Sequence, residues 1–410
     1  MMLLVFFSKL LKHAPPGGVF FCFSDSPRMS EYDSELSKIV AELNRAAPGN
    51  KPASRLPDTT ASLDKLLAFA AARGASDVLL IAGAPAVLRV NGALAPGSGP
   101  PLEADDVRSL VLPLLTPPQL EELQKNRSAD LSFLREGLGR FRVNLHHQRG
   151  TLAASIRLLP ARIPSIESLH LPPALAKLAE RRQGLVLVTG ATGCGKTSTL
   201  AALIDIVNSR RQAHVVTIED PVEYQHANRS SIIEQIEVGR DTPDFAGTLR
   251  SIMRQTPDVI LVGEMRDAET MATVLTAAET GHLVLSTLHT NDAIQAVARI
   301  LDSFPAANQP QIRQQISLAL AAVIAQQLVP GLDGVSRWPA TEILIANDAA
   351  RSLIRKGDDH QLRSQISVGR ADGMMTMEQS LAELVRTNRI ARDTAFAHCF
   401  RSEDLQRYLV

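Results

Sequence analysis

The sequence predicts an α/β protein: a domain built on a parallel sheet, a smaller α+β domain before it and a small helical region after it. Two observations lead to this prediction. Between residues 183 and 347, short apolar runs alternate with helical stretches, which is the order typical of a parallel sheet. Before residue 160 there are strand patterns separated by turn signals, and from Asp348 onward the chain becomes helical and polar. A chain of 410 residues has room for two or three domains of ordinary size.

Composition excludes some classes of function. Lys and Arg together number 43, Asp and Glu also 43, and aromatic residues make up 4% of the chain. Proteins that bind nucleic acids use basic surfaces and aromatic stacking, so we expect no nucleic-acid partner. The three cysteines are scattered, which fits a reducing compartment and provides no four-cysteine zinc site. No apolar run approaches the roughly 20 residues that span a membrane.

Residues 1–60 are predicted to be an N-terminal extension and a linker. The stretch from Met1 to Phe23 is apolar and aromatic, but Lys9 and Lys12 interrupt it. A poor signal peptide and a short membrane-surface anchor are the alternatives. We favour a flexible or non-native extension, with Met29 as an alternative start.

Residues 61–160 are predicted to form the α+β domain. Apolar residues lie on one helical face of Leu63–Arg73, and Asn91-Gly92 between two apolar runs is a hairpin signal. The predicted elements are helices at 63–73 and 104–124 and strands at 77–81, 86–90, 129–133 and 139–145.

Residues 161–182 contain three prolines and are predicted to connect the two domains. The parallel-sheet domain is expected at 183–347, and the helical region at 348–410. The predicted strands of the sheet are 185–189, 214–218, 259–263 and 283–287.

The most informative motif is Gly-x-x-x-x-Gly-Lys-Thr at residues 190–197, between an apolar strand and a helix. In such a loop, backbone N–H groups and a helix N-terminus surround an anion, while Lys196 approaches the β- and γ-phosphates and Thr197 binds Mg²⁺. The motif therefore predicts binding of a nucleoside triphosphate, with ATP and Mg²⁺ as cofactors. The residues assigned to the nucleotide here are Gly190, Thr192, Gly193, Cys194, Gly195, Lys196, Thr197 and Ser198.

Two of the predicted strands are followed by carboxylates. Glu219 follows one strand and Glu264 the other, and the carboxyl ends of parallel strands meet at the ligand-binding edge of a sheet. Either carboxylate could activate water or hold Mg²⁺. Our assignment is water activation by Glu219 and Mg²⁺ binding by Glu264, directly or through water, together with Thr197.

Basic side chains complete the predicted site. His282 and His289 bracket the fourth predicted strand, and an imidazole there could sense the γ-phosphate. Arg250 and Arg254 are four residues apart, which places them on one face of the helix expected before the third strand. Positive charge stabilises a transferring phosphoryl group, so both arginines are candidates. Surface solvation is the alternative for each of them.

Together these motifs resemble the secretion ATPase superfamily of type II secretion and type IV pili, and within it most the PilT-like pilus retraction ATPases. The resemblance covers about Leu63 to Ile390. It rests on residues 75–77, 140–144, 190–197, 217–223, 249–267, 279–282, 286–291 and 349–356.

The resemblance implies a homohexameric ring that powers pilus retraction and twitching motility. Each subunit would pair a PAS-like N-terminal domain with a RecA-like ATPase domain, with ATP between them. It implies that Arg142 and Arg157 of the first domain, with Arg250 and Arg254, contact nucleotide. It also implies a cytoplasmic protein that docks on an inner-membrane pilus platform protein, with a paralogous retraction motor as a further candidate partner.

Several residues depart from the family pattern. The segment 349–356 carries Ala350, Ser352 and Lys356 where retraction motors have Ile, Asn and Glu, and Cys194 replaces the usual Ser. These departures leave the function of an accessory retraction paralogue open. A pilus-assembly or type II secretion ATPase, which typically has a tetracysteine zinc module, is a second open function. A non-hydrolysing partner subunit is a third.

Overall fold

The computed structural model describes residues 59–90, 93–96, 100–160 and 162–409. The predicted N-terminal extension, nearly all of the linker after it, and the Asn91-Gly92 turn lie outside the described residues. None of the helices in the described part of the chain is both long enough and apolar enough to cross a membrane.

The first part of the described chain forms a six-stranded antiparallel sheet with three helices. Its strand order is β3-β2-β1-β6-β5-β4. The predicted apolar face of the first helix packs into the core, where Leu63, Leu67 and Ala70 are fully buried. The elements are α1 (Thr59–Ala72), β1 (Ala75–Leu80), β2 (Val87–Val90), β3 (Ala93–Pro96), α2 (Ala104–Val111), α3 (Pro117–Asn126), β4 (Ser128–Arg135), β5 (Gly139–Gln148) and β6 (Thr151–Leu158).

One prediction for this part was wrong, and one strand was missed. The helix expected at 104–124 is broken into two by a 3₁₀ turn at Leu112–Leu114, and α3 begins at Pro117. Prolines at the turn and at the start of α3 account for the break, since proline lacks the N–H that a helix interior needs. Strand β6 was not predicted, although it pairs with both β1 and β5.

The second part of the chain forms a seven-stranded sheet in the order β13-β12-β7-β11-β10-β8-β9. All neighbours pair in parallel except β12 and β13. The elements are β7 (Gly184–Thr189), α4 (Lys196–Arg210), β8 (His214–Glu219), β9 (Ile232–Glu237), α5 (Phe245–Ile252), β10 (Val259–Val262), α6 (Ala268–Glu279), β11 (Leu283–Leu288), α7 (Ala293–Asp302), α8 (Gln309–Ala319), β12 (Leu320–Pro330) and β13 (Arg337–Ile345).

The central strands are apolar because helices cover both faces of the sheet. Every residue of β7, β10 and β11 is buried. One core cluster lies between the sheet and α4, and the other between the sheet and α5 to α8. The four predicted parallel strands are confirmed. The strands β9, β12 and β13 were not predicted, which left both edges of the sheet out of the expected fold.

The C-terminal region is helical, as predicted. Its apolar residues, among them Met377, Leu381 and Leu405, pack on Val329 and Ala340 of β12 and β13. This places the C-terminal helices at the β13 edge of the sheet. The helices are α9 (Asp348–Lys356), α10 (Leu362–Val368), α11 (Met377–Arg386), α12 (Arg392–His398) and α13 (Ser402–Leu409).

Candidate functional site

The loop between β7 and α4 has the geometry of a phosphate cradle. Gly190, Gly193 and Gly195 all have positive φ, so the chain can curl between the strand and the first turn of the helix. The ammonium group of Lys196 lies inside the curl and donates hydrogen bonds to the carbonyl oxygens of Gly190 at 2.8 Å and Ala191 at 3.1 Å. A bound phosphate would offer this cation stronger, charged acceptors.

The loop is anchored to strand β12 by Gln326, a residue that the sequence analysis did not identify. Gln326 on β12 is buried and donates from Nε2 to the carbonyl of Cys194 at 2.7 Å. Its Oε1 accepts from the hydroxyl of Thr199 on α4 at 2.9 Å. No local signal marks Gln326, because it lies 132 positions from Cys194 in the chain and meets it only through the sheet order.

The remaining loop side chains line the same region. Thr197, the Mg²⁺ ligand predicted from the sequence, is half-buried in the first turn of α4. The hydroxyl of Ser198 lies 2.8 Å from the hydroxyl of Tyr224. Cys194 points under the loop and is buried, and this burial raises the pKa of its thiol. Cys194 therefore serves as a packing residue beneath the loop.

Glu219 lies at the end of β8, at the same edge of the sheet as the phosphate loop. Its carboxylate is buried and accepts hydrogen bonds from the hydroxyl of Thr217 at 2.7 Å and the amide of Gln235 at 3.2 Å. Burial raises the pKa of Glu219 to about 7, against the opposing effect of these two donors. A carboxyl group with this pKa can exchange protons near neutral pH, as a general base must.

Glu264 lies just beyond β10 at the same edge. Its carboxylate contacts the guanidinium of Arg266 and lies 3.5 Å from Nε2 of His289. Burial lowers the pKa of Lys196, and the nearby groups Cys194 and Glu264 act in the opposite direction. Arg266 also lies 3.9 Å from Asp220, which follows Glu219. The structure thus brings together Glu264, Arg266 and His289.

These oxygens suit a magnesium ion. Mg²⁺ prefers oxygen ligands, usually one or two from the protein with the rest from phosphate and water. Thr197 offers a hydroxyl beside the loop, and Glu264 offers a carboxylate at the end of β10. The chemistry of this donor set fits Mg²⁺ bound together with a nucleotide.

His282 lies at the opposite edge of the sheet from the phosphate loop of its own chain. It precedes β11, and its carbonyl accepts from Gly184 at the start of β7. Its Nδ1 is 3.0 Å from the carbonyl of Ala277. A strand of six residues is about 20 Å long, so His282 and His289 are separated by the whole of β11. His289 therefore lies at the phosphate-loop end of β11 and His282 at the other end, and the assignment of His282 to the nucleotide stays a prediction.

The arginines of the second domain occupy different settings. Arg250 lies on α5 and contacts Glu269, in the first turn of the helix after Glu264. Arg254 was expected on the same helical face, but α5 ends at Ile252 and Arg254 lies in the exposed turn that follows. The positive φ of Thr256 and the proline after it stop the helix there.

The arginines of the first domain share one sheet face. Arg142 on β5 is directly opposite Arg157 on β6, which in turn is opposite Asp77 on β1. Arg157 is 62% exposed and donates from Nε to Asp77 at 2.9 Å. Two cations directly across from each other repel, and the single carboxylate of Asp77 leaves the pair with a net positive charge that an anion from outside the domain could balance.

Comparisons with known proteins show the family to which this chain belongs. A model of the type II/IV secretion system protein family matches residues 152–403. The chain belongs to this family. It is 41% identical over 333 residues to the type IV pilus retractation ATPase PilT of Pseudomonas aeruginosa, covering 81% of this chain and 96% of that one. It is 40% identical over 343 residues to the type IV pilus ATPase PilU of the same species, covering 84% and 90%.

Solved structures show the same fold. A crystal structure of the pilus retraction motor PilT with bound ADP matches with a TM-score of 0.79 and 41% identity, over 86% of this chain and all of that one. The ATPase DotB of Legionella pneumophila matches with a TM-score of 0.72 and 27% identity, over 84% and 97%. The family membership and the ADP-bound relative confirm the predicted α/β fold and a nucleotide-binding ATPase.

Proposed function

We propose that this chain, a P-loop ATPase, is a motor that powers retraction of type IV pili by removing pilin from the base of the fibre. The observation that carries the proposal is the 41% identity to a pilus retraction ATPase over 96% of that protein's length. The intact phosphate loop, with Lys196 inside its curl, supports hydrolysis rather than a purely structural role.

The site suggests a division of labour for ATP hydrolysis. Lys196 and the loop N–H groups bind the β- and γ-phosphates, and Thr197 with Glu264 holds Mg²⁺. Glu219, whose pKa of about 7 suits proton transfer, positions and activates the attacking water. His289 senses the loss of the γ-phosphate. Because it lies 3.5 Å from Glu264, it transmits this change to β10, the neighbouring strand.

A homohexamer would complete the site from a neighbouring subunit. Arg142 and Arg157 lie on a solvent-facing part of the first sheet and repel each other across β5 and β6. Asp77 pairs with Arg157, and a nucleotide held by the next subunit would supply further negative charge for Arg142 and Arg157. We also propose that the ring is cytoplasmic, sits against the inner membrane and turns a platform protein of the pilus.

An accessory retraction motor is the second candidate. The chain is 40% identical to PilU over 90% of that protein. The segment that departs from the retraction pattern forms α9, in which Arg351 donates to the carbonyls of Ala346, Ser317, Leu318 and Leu320. These bonds keep the helix in place. Lys356 is exposed and presents a positive charge where retraction motors have the negative charge of Glu.

The decisive experiment is deletion of the gene in the source bacterium, followed by counting of surface pili and measurement of twitching. A retraction motor predicts excess pili and lost twitching, whereas a bald cell would show an assembly motor. Complementation with the wild-type gene should restore twitching, and complementation with Lys196→Ala should not. Normal twitching with abundant retractile pili would instead indicate the accessory role.

A further inference from the structure

Gln235 on the edge strand β9 lies directly opposite Thr217 of β8 in the parallel register. Glu219 is two residues beyond Thr217, so the side chains of all three residues lie on one face of this strand pair. The hydroxyl of Thr217 and the side-chain amide of Gln235 both donate to Oε1 of Glu219, at 2.7 Å and 3.2 Å. Two neighbouring strands therefore hold the same carboxylate oxygen.

The amide of Gln235 is fixed in one orientation by the backbone around it. Its Nε2 also donates to the carbonyl of Tyr224 at 2.8 Å, and its Oε1 accepts from the backbone N–H of His226 at 2.9 Å. A rotation of the amide by half a turn would place Oε1 against the carbonyl of Tyr224 and the carboxylate of Glu219, which are both acceptors. Nε2 therefore stays directed at Glu219.

The same amide connects the carboxylate to the phosphate loop. Tyr224 is buried, and its hydroxyl lies 2.8 Å from the hydroxyl of Ser198 in the first turn of α4. Ser198 follows Thr197, the proposed Mg²⁺ ligand. Gln235 and Tyr224 thus form a chain of contacts between Glu219 and the helix that begins at the phosphate loop. These contacts fix the position of Glu219 relative to that loop.

Strand β9 is itself held in place, although it lies at the edge of the sheet. Glu237, two residues after Gln235 and on the same face, accepts from the backbone N–H of Val222 at 3.1 Å. Its charge is paired with Arg140 of the first domain. Glu237 is also opposite Glu219 in the register, so this pairing removes an uncompensated charge from beside the proposed base.

We propose that Gln235 is a positioning residue for ATP hydrolysis, which holds Oε1 of Glu219 so that Oε2 takes the proton from the attacking water. Two donors occupy the lone pairs of Oε1, which leaves proton transfer to the other oxygen. As the water oxygen bonds to the γ-phosphorus, the bond from this phosphorus to the bridging oxygen of ADP breaks, and one water proton passes to Oε2. The inference rests on the proposed function, because it assumes that Glu219 is the base.

The positioning role has a consequence for the pH dependence of catalysis. Burial raises the pKa of Glu219, and the hydrogen bonds from Thr217 and Gln235 lower it, because they stabilise the ionised form. Nearby Glu223 acts both ways, since its charge raises this pKa and its backbone lowers it. Loss of a donor should therefore move the midpoint of the kcat/KM profile to higher pH.

The test measures kcat and kcat/KM for ATP against pH in the purified full chain. Gln235→Met removes the donor and keeps the length of the side chain. On the plateau kcat should fall at least about tenfold, and the midpoint should rise by about one pH unit, while the dissociation constant of ADP stays unchanged. Gln235→Glu places a second carboxyl group beside Glu219 and should raise the midpoint further.

Two other variants serve as controls. Thr217→Val removes the second donor to the same oxygen, so the midpoint should rise in this variant as well. Glu234→Ala changes an exposed residue of the same strand, whose carboxylate lies 3.5 Å from Nε2 of His214. It should leave the midpoint at the wild-type value.

The outcomes separate this inference from the proposed function. If Glu219→Gln kept the wild-type kcat, the assignment of the base would be wrong, and the positioning role with it. If Glu219→Gln is inactive and Thr217→Val moves the midpoint, but neither variant of Gln235 does, the ATPase proposal stands and the positioning role of Gln235 is refuted. A lower unfolding temperature of Gln235→Met with an unchanged midpoint would show a purely structural role.

A second measurement needs no turnover. Infrared titration of the nucleotide-free protein follows the C=O stretch of protonated Glu219, which is identified by its absence from Glu219→Gln. The midpoint should be higher in Gln235→Met than in the wild type, and equal midpoints would overturn the proposal even if the variant were inactive. If Gln235→Met did not fold, Gln235→Glu would decide by the same comparison, because it keeps the acceptor oxygen for the N–H of His226.

Discussion

The guanidinium of Arg140 on β5 contacts the carboxylate of Glu237 at the end of β9, and so joins the two sheets of the molecule. Both side chains are buried, at 11% and 8% exposure. The hydroxyl of Ser132 donates to the same carboxylate at 2.7 Å, and the backbone N–H of Val222 donates to it at 3.1 Å. Since Val222 follows Glu219 by three residues, this contact ties the N-terminal sheet to the segment beside the proposed general base.

We predict that Arg140→Ala is strongly destabilising. Removal of one partner of a buried ion pair leaves the other charge unpaired, which costs about 3–5 kcal/mol. The control is Arg210→Ala, because Arg210 and Glu180 form an ion pair whose side chains are more than half exposed. Its loss should cost about 1 kcal/mol or less. Urea denaturation checks both variants, and equal midpoints for the two would contradict a structural role for the Arg140–Glu237 pair.

The pKa of Glu219 predicts the pH dependence of catalysis. The carboxylate must be ionised to accept a proton from water, and burial raises its pKa to about 7. The proposed role therefore predicts that kcat/KM for ATP rises with pH to a plateau, with a midpoint near pH 7 in the free enzyme.

Two variants of the site test this assignment. Glu219→Gln should lower kcat by at least about 100-fold, because it removes the base, while ADP affinity stays close to that of the wild type. Asp220→Asn is the control, since Asp220 is exposed and lies 3.9 Å from Arg266 rather than in the buried site. A pH profile that stays flat from pH 6 to 8 would assign the base elsewhere.

Glu342 gives a separate prediction about stability and pH. It is buried on β13, where its carboxyl accepts from the N–H of Ala293 at 3.0 Å, and burial raises its pKa to about 7. The same carboxyl titrates near pH 4.5 in the unfolded chain. Between pH 4.5 and 7 the folded state therefore binds more protons than the unfolded state. The free energy of unfolding must then fall as the pH rises through this window, by up to about 3 kcal/mol.

The matched variant is Glu342→Gln, which keeps the shape and the acceptor oxygen but does not titrate. The difference in unfolding free energy between Glu342→Gln and the wild type should grow in favour of the variant from pH 5 to 7.5. Comparison at each pH cancels other titrating groups, among them Glu219. A difference that is constant over this range would show that Glu342 is ionised in the folded protein throughout.

The sequence predicted the parts of the site that local pattern encodes. The glycines and lysine of the loop, and the carboxylates after two apolar strands, are adjacent in the chain to the strands that position them. Arg140 and Glu237 escaped prediction, because they are 97 residues apart and meet only when the two sheets pack. Arg254 was wrongly placed on the helix, because the helical pattern of the sequence continues through it. In the structure α5 ends at Ile252, and Thr256 has a positive φ.

The edge strands of the large sheet were not predicted, for a related reason. In β9, exposed and half-buried residues alternate with no continuous apolar run, so it lacks the signature of a buried parallel strand. β12 follows α8 directly, with no turn residue between them, and its apolar run could equally continue the helix. The role of Gln326 depends on β12 and could not be found without it.

The opposed pair Arg142 and Arg157 predicts catalysis across subunits. If each serves the nucleotide of a neighbouring subunit, Arg142→Ala and Lys196→Ala should each be nearly inactive alone. Mixed rings of the two variants should regain activity, because some interfaces then combine an intact loop with an intact arginine. ATPase assays at varied mixing ratios check this, with mixtures of Lys196→Ala and Glu219→Gln as the control, since both of these residues lie in one domain. Activity that is merely the sum of the two variants would show that Arg142 does not serve the nucleotide of a neighbouring subunit.

The phosphate loop offers a matched pair of glycine substitutions. Gly190 and Gly193 both have positive φ, so an alanine strains the backbone at either position. At Gly190, however, the added Cβ would lie 2.3 Å from the carbonyl oxygen of Gln326 and 2.7 Å from the sulfur of Cys194, whereas at Gly193 it would meet nothing within 4 Å. Gly190→Ala must therefore displace the loop from β12, and we expect ADP affinity to fall at least about 100-fold, against about tenfold or less for Gly193→Ala. Calorimetric titration with ADP measures both, and equal losses would mean that backbone strain alone governs the loop and that its contact with Gln326 is dispensable.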